Sequence, residues 1–132
     1  KAFGELIKEK LGFDVLVHVA TLIADCDVLA LASEREPFGR VLLEAMAMGT
    51  AVVGTSGGGV TEVVSDGETG LLVPPGDAQQ LADALARLLA EPDLRHRLGE
   101  RGRDSVRKRF SAAEHARRVG RLYDEVLNRW RR

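Results

Sequence analysis

Four short apolar runs recur along the chain, separated by segments of helical period. They are "DVLVHVA" at residues 14–20, "DVLALAS" at 27–33, "TAVVGT" at 50–55 and "LLV" at 71–73. Short, nearly continuous apolar runs are typical of strands that are covered on both faces of a parallel sheet. Because helical segments lie between them, the pattern predicts an α/β fold with a parallel sheet of about four strands.

Helical spacing of apolar residues accounts for most of the remaining chain. The predicted helical segments are residues 2–11, 21–26, 38–48, 60–65 and 78–90, followed by a helical region from Pro92 to the end. Asp77 and Ser111 are residue types that cap helix N-termini, and we expect breaks in the last region near Gly99–Gly102 and at Ser111. The chain is therefore expected to form a single domain over 1–132, with an α/β core over 1–110 and a C-terminal helix over 111–132.

The composition narrows the class of protein. The chain has 132 residues, of which 45% are hydrophobic and 30% charged, which fits one ordinary folded domain rather than a disordered or membrane class. No apolar run reaches the roughly 18–20 residues of a membrane span, and the first ten residues are not a signal peptide. The single Cys26 excludes an intramolecular disulfide, and we expect it in the core. A cytoplasmic location is the resulting expectation.

The net charge of −1 hides an asymmetry between two parts of the chain. Residues 1–90 contain 6 basic and 13 acidic residues, a net −7, whereas residues 91–132 contain 13 and 7, a net +6. The basic residues alternate with acidic and apolar ones at helical spacing, without the aromatic residues that single-strand nucleic-acid binders use. The pattern therefore favours a solvated helix face over a nucleic-acid site, with a peripheral membrane or partner contact as the alternative.

The segment "SEREPFGRVLLEAMAMGT", residues 33–50, connects two of the predicted strands. Pro37 has a fixed φ and no N–H, which suits the first turn of a helix, and Gly39 lets another molecule approach the backbone closely. A helix that starts here directs its free N–H groups outward at the carboxyl end of the sheet, where ligands bind in open α/β folds. The segment therefore predicts a helix N-terminus that favours phosphate.

Two carboxylates accompany this helix. Glu36 lies just before it, and Glu44 lies about two turns inside an otherwise apolar run. Because the helix is apolar around most of its circumference, we expect it to be packed on nearly all sides, with Glu44 deep and in need of a partner. A deep carboxylate can accept hydrogen bonds from sugar or ribose hydroxyls. From the residues alone, Glu36 can equally be a loop charge, and Glu44 can cap the backbone or pair with an arginine.

Two other features carry weaker signals. The loop "SGGG" at 56–59 lacks the Lys-Ser/Thr of a P-loop and the spacing of the dinucleotide fingerprint, so it favours an ordinary loop over a phosphate site. The three histidines, His18, His96 and His115, share no metal-ligand spacing, and no metal site is expected.

The stretch "ASEREPFGRVLLEAMAMGTAVVGTSGGGVTEVVSDGETGLLVPPGDAQQLADAL" resembles the donor-binding half of the family-4 glycosyltransferases, which are retaining enzymes of the GT-B fold with two Rossmann-like domains facing a cleft. The resemblance runs from about Asp27 to Leu127, and its most specific element is the E-x7-E spacing filled by Glu36 and Glu44. It implies a Rossmann-like parallel sheet flanked by helices, with a helical C-terminal tail. It also implies transfer of a hexosyl group from a nucleotide-sugar with retention of configuration.

The resemblance implies a role for each matching residue. Glu36 would be catalytic and would bind hydroxyls of the donor sugar, and Glu44 would bind the ribose hydroxyls of the nucleotide. Four backbone amides would hold the sugar and the distal phosphate, namely those of Phe38, Gly39, Arg40 and Val41. No metal or cofactor is implied, because amides and basic side chains stabilise the leaving diphosphate, and the donor would be UDP-, GDP- or ADP-linked. Gly57, Gly58, Gly59 and Glu62 match positions that we interpret as mostly structural.

The sequence also departs from the pattern of that family. It lacks the acceptor-binding N-terminal domain and the Arg and Lys that clamp the diphosphate, so we expect the isolated chain to bind its donor weakly and not to turn over. The alternative is an inactive α/β fragment or scaffold with little nucleotide affinity. In that case an exposed sheet edge or the C-terminal helix would pair two copies into a homodimer.

Overall fold

Three parallel strands form the sheet in the part of the chain that the structure describes, residues 21–130 of a computed structural model. They are β1 (Val28–Leu31), β2 (Ala51–Thr55) and β3 (Leu71–Val73), in the order β1-β2-β3. Val28 lies opposite Ala51, and Val53 lies opposite Leu71. The Rossmann-like α/β class is thus confirmed, whereas the strand predicted at 14–20 and the helix predicted at 2–11 fall outside the described residues.

Five helices connect and flank these strands. They are α1 (Arg40–Met48), α2 (Val60–Val63), α3 (Ala78–Ala90), α4 (Pro92–Arg109) and α5 (Ala112–Trp130), and residues 21–25 are also helical. Asp77 caps α3 as expected, because its carboxylate accepts a hydrogen bond of 2.9 Å from the N–H of Gln80.

Strand β2 is the centre of the hydrophobic core, because all five of its residues are buried. Its side chains alternate between two clusters, one on each face of the sheet. Val52 joins the cluster under α1 and α2, whereas Ala51 and Val53 join the cluster under α3 and the first half of α4. Strand β1 is less covered than its apolar sequence suggested: Ala30 is exposed and its three other residues are half-buried.

Helix α4 runs without interruption, so the break expected near Gly99–Gly102 is wrong. A Cβ on Gly99 would lie 2.0 Å from the carbonyl oxygen of Gly49, and one on Gly102 would lie 3.1 Å from that of Thr69. The two glycines are therefore explained by close approach of α4 to the backbone at the amino ends of the strands. This approach lets α4 reach both core clusters, with Leu98 in one and Val106 against the other.

Helix α5 begins after the break expected at Ser111, whose hydroxyl accepts a hydrogen bond from the N–H of Glu114. Nearly all of α5 is exposed, including a stripe of apolar side chains at helical spacing. The members of this α5 stripe are Val119, Leu122, Tyr123, Val126 and Leu127. None of the helices within residues 21–130 is both long enough and apolar enough to cross a membrane.

Candidate functional site

The loop between β1 and α1, residues 32–39, lies at the carboxyl edge of the sheet and is held by backbone contacts. The hydroxyl of Thr55, the last residue of β2, donates a hydrogen bond to the carbonyl of Ser33. The N–H of Gly59 donates to the carbonyl of Glu36 at 2.9 Å. Strand β2 and the loop that follows it thus hold residues 33–36 at both ends, and this segment contains Glu36, the first of the two predicted carboxylates.

The three glycines of the "SGGG" loop fit against this segment because they lack side chains. A Cβ on Gly57 would lie 2.7 Å from the carbonyl oxygen of Glu34, and one on Gly58 would lie 2.1 Å from that of Glu36. One on Gly59 would lie 2.2 Å from the carbonyl oxygen of Pro37. Carbon and oxygen do not approach this closely, so the glycines support the loop at 32–39 by backbone packing, as a structural reading of them predicts.

The Glu36 carboxylate folds back onto the start of α1. Its Oε1 accepts hydrogen bonds from the N–H of Gly39 at 3.0 Å and, more weakly, from that of Phe38 at 3.4 Å. Two of the four amides that sequence resemblance assigns to the donor are therefore occupied by the protein's own carboxylate. Within the described residues, Oε2 of Glu36 has no hydrogen-bond partner, so that oxygen can still accept a hydroxyl.

The first amides of α1 are open. Gly39 precedes the helix with φ of 79°, a left-handed conformation that favours glycine, and its carbonyl accepts from the N–H groups of Leu42 and Leu43. Across residues 21–130, the N–H groups of Arg40 and Val41 have no acceptor. Orphan N–H groups and the positive end of a helix dipole form a local environment that favours an anion.

Glu44 is exposed, which corrects the expectation of a deep carboxylate in a helix packed on nearly all sides. The buried face of α1 is narrow and consists of Leu42, Ala45 and Met46. Ala47 and Met48 are exposed together with Glu44, because apolar residues need not be buried. Within residues 21–130 no hydrogen bond or ion pair engages the Glu44 carboxylate.

Arg40 and Glu44 lie on the same exposed side of α1, one helical turn apart. Four residues of helix correspond to roughly 6 Å along the axis. A ligand held at the N-terminus of α1 could therefore extend along this side and reach Glu44 without entering the core.

Phe110, which the sequence did not single out, contacts the loop at 32–39, and Arg109 in turn covers Phe110. The ring of Phe110 lies edge-on to that of Phe38, with centroids 6.1 Å apart and an interplanar angle of 71°. The guanidinium of Arg109 lies 5.0 Å from the centroid of Phe110. The only sequence signal for this contact is an isolated aromatic residue at a helix junction, in "KRFSAAE", which indicates burial without identifying the partner.

A cleft of about 200 Å³ opens beside the loop, at the carboxyl ends of the three strands. Ser33 and Glu34 form one side, and Pro74 and Asp77 form the other. The hydrogen bond from the backbone N–H of Gln80 is the main cause that holds the pKa of Asp77 below its ordinary value.

In the described part of the chain, no group of three or more His, Cys, Asp or Glu side chains is arranged to hold a metal ion. Cys26, expected in the core, is exposed.

Comparison with known proteins identifies the family. The family described as "Glycosyl transferases group 1" matches residues 10–105. The chain is 42% identical over 110 residues to the N-acetyl-alpha-D-glucosaminyl L-malate synthase of Bacillus anthracis, covering 83% of this chain and 29% of that protein. The chain thus spans less than a third of the length of this curated relative.

Solved structures agree with the fold and the family. The chain resembles Anabaena Alr3699/HepE in complex with UDP-glucose, with a TM-score of 0.74 and 30% identity over 81% of this chain and 30% of that one. It resembles the sucrose-phosphate synthase of Thermosynechococcus elongatus with a TM-score of 0.77 and 38% identity, over 94% of this chain and 33% of that one. The chain belongs to the group 1 glycosyltransferases, and its parallel sheet with flanking helices is a GT-B-type fold.

Proposed function

We propose that this chain is the donor-binding part of a glycosyltransferase, which binds a nucleotide-sugar for transfer of the hexosyl group, with retention of configuration, to an acceptor held by another part of the protein. The observation that carries this proposal is the N-terminus of α1. The open N–H groups of Arg40 and Val41 lie at the carboxyl edge of the sheet, next to the Glu36 carboxylate. Amides suit a diphosphate, and a carboxylate with a free oxygen suits sugar hydroxyls.

The diphosphate would lie at the helix N-terminus. There the amides of Arg40 and Val41 would donate to phosphate oxygens, and the exposed Arg40 guanidinium would add positive charge. The same groups would stabilise the negative charge that develops on the leaving diphosphate when the glycosidic bond breaks. We propose that this stabilisation serves in place of a metal or other cofactor.

Glu36 and Glu44 would hold the two ends of the donor. Oε2 of Glu36 would accept a sugar hydroxyl while Oε1 keeps its bond to the N–H of Gly39. Glu44, one turn beyond Arg40 on the exposed side of α1, would accept the two ribose hydroxyls. Exposure in the free chain does not conflict with this role, because a binding carboxylate must be accessible before the ligand arrives.

UDP-glucose is the first donor to test, because a related Anabaena structure contains that compound. We expect calorimetric or NMR titration of the 132-residue chain to detect weak binding of UDP-glucose and UDP. GDP, ADP and their glucose conjugates serve as competing candidates. The result that would refute the proposal is the absence of any chemical-shift change with every one of these compounds at millimolar concentration, which would leave the alternative of a self-associating scaffold.

One variant and a matched control test the proposed ribose-binding role of Glu44. Loss of a hydrogen bond to a charged group corresponds to roughly 10- to 100-fold in affinity, so Glu44→Ala should weaken UDP binding by about that factor. Glu125→Ala, another exposed glutamate within a helix, is the matched control and should bind as the original chain does. Equal affinity in Glu44→Ala and Glu125→Ala would refute the ribose role of Glu44 while leaving donor binding itself intact.

A further inference from the structure

The junction between α4 and α5 contacts the donor loop at 32–39 through a packed aromatic pair. Phe110 is the C-cap of α4, and its N–H donates to the carbonyl of Val106 at 2.9 Å. Its ring packs against the α1 side of the core and meets the ring of Phe38 edge-on. Phe38 is 38% exposed, and the ring of Phe110 contributes to the packing of its buried part.

A second connection joins the same junction to the same loop. The guanidinium of Arg109 covers the ring of Phe110, and its Nη2 donates to the carbonyl of Glu62 in α2 at 2.5 Å. Gly59 is the N-cap of α2, and its N–H donates to the carbonyl of Glu36. Two chains of contacts therefore lead from the junction to residues 36–38, one through Phe38 and the other through α2 and Gly59.

We propose that Phe110 and Arg109 are positioning residues that fix the backbone amides of Phe38 and Gly39 in the donor loop. In this proposal neither residue touches the donor: Phe110 acts through Phe38, and Arg109 acts through Phe110 and Glu62. The consequence for donor binding rests on the function proposed above, whereas the positioning of the amides does not.

The direct test measures amide hydrogen exchange by NMR in the free chain, without any nucleotide. Phe110→Ala should speed the exchange of the Phe38 and Gly39 amides by roughly three- to tenfold, the factor that corresponds to the loss of one aromatic pair. Phe110→Tyr keeps the ring and should restore the original rates. The amide of Val53 in the central strand reports global stability, and the rates are compared after correction for any change there.

Val106→Ala is the matched control, because Val106 also packs against the core from α4 but has no ring contact with Phe38. It should leave the Phe38 and Gly39 amides unchanged relative to Val53. If Phe110→Ala and Val106→Ala change these amides equally, or if neither does, the positioning role is refuted.

Nucleotide titration separates the two proposals. In a chain that binds UDP-glucose, Phe110→Ala should lower the affinity by a similar three- to tenfold factor, and Phe110→Tyr should restore it. Unchanged affinity in Phe110→Ala would show that the junction does not position the donor site. If the original chain binds no nucleotide, the function proposed above fails, and the exchange rates alone still decide whether the junction holds the loop.

Discussion

Gly59→Ala is the substitution that most directly tests how the donor loop is supported. Gly59 has an ordinary φ of −77°, so alanine introduces no backbone strain. The added Cβ would lie 2.2 Å from the carbonyl oxygen of Pro37 and 2.8 Å from the Cα of Phe38. Because both neighbours are backbone atoms, the loop at 32–39 must move away as a unit, by roughly 1 Å to restore ordinary contact.

The expected loss of stability combines two terms. Overpacking of this kind typically costs about 1–3 kcal/mol. The hydrogen bond from the N–H of Gly59 to the carbonyl of Glu36 would weaken as the loop moves, which adds about 0.5–1.5 kcal/mol. A total of about 2–4 kcal/mol corresponds to a decrease in Tm of roughly 8–16 °C for a domain of this size. Thermal unfolding followed by circular dichroism measures this decrease.

Gly99→Ala is the control, because it should lower the stability to a similar extent but lies away from the loop at 32–39. Its Cβ would also meet a backbone carbonyl, that of Gly49 at 2.0 Å, at the opposite end of the sheet. Both variants should melt at lower temperature, but only Gly59→Ala should lose UDP-glucose affinity when the titrations are done well below each Tm. The reasoning would be refuted by a Gly59→Ala variant with the original Tm, or by equal loss of affinity in the two variants.

Two further predictions concern the N-terminal cap of α3 and the exposed face of α5. The hydrogen bond from the Gln80 N–H lowers the pKa of Asp77 in the folded chain, so the stabilisation that it gives is present at neutral pH and is lost as pH falls through that lowered pKa. The Tm of Asp77→Asn should therefore fall less between pH 7 and pH 3 than the Tm of the original chain. An equal fall in both proteins would contradict this. The exposed α5 stripe should drive self-association of the chain: antiparallel pairing about Leu122 and Tyr123 would set Val119 against Val126 of the second copy. Light scattering at high concentration should detect a dimer, and Val126→Glu should abolish it. A monomer at every concentration, or binding of α5 to anionic vesicles without self-association, would argue against this dimer.

Sequence patterns located the elements whose signals are local. The strand at 71–73 and the helix at 78–90 have the bounds that the sequence predicts, because an apolar run, a turn and the Asp77 cap specify them within a few residues. The α/β class with a parallel sheet followed in the same way from alternating strands and helices, whereas the GT-B assignment came from the family resemblance. These features depend little on what the rest of the chain does.

The errors arose where residues distant in sequence decide the outcome. Glycines at 99 and 102 are helix breakers by propensity, yet here they allow α4 to approach Gly49 and Thr69, and packing outweighs a propensity cost of about 1 kcal/mol for each. Likewise the apolar run around Glu44 indicated burial, although Glu44, Ala47 and Met48 are exposed. The contact between Phe38 and Phe110 joins residues 72 positions apart, and no local pattern could reveal it.

The geometry of α1 places the two glutamates in different surroundings, which their spacing alone does not reveal. Glu36 precedes the helix, and its Oε1 already holds the N–H of Gly39, so a ligand that bound this amide would first have to displace a carboxylate. The amides of Arg40 and Val41 impose no such cost. Phosphate is therefore expected at the latter pair, with the sugar towards Glu36 and the ribose towards Glu44, in the order in which a nucleotide-sugar presents these groups. Glu36→Gln, which keeps the acceptor oxygen but removes the charge, should hold the loop and lose sugar affinity, whereas Glu36→Ala should lose both.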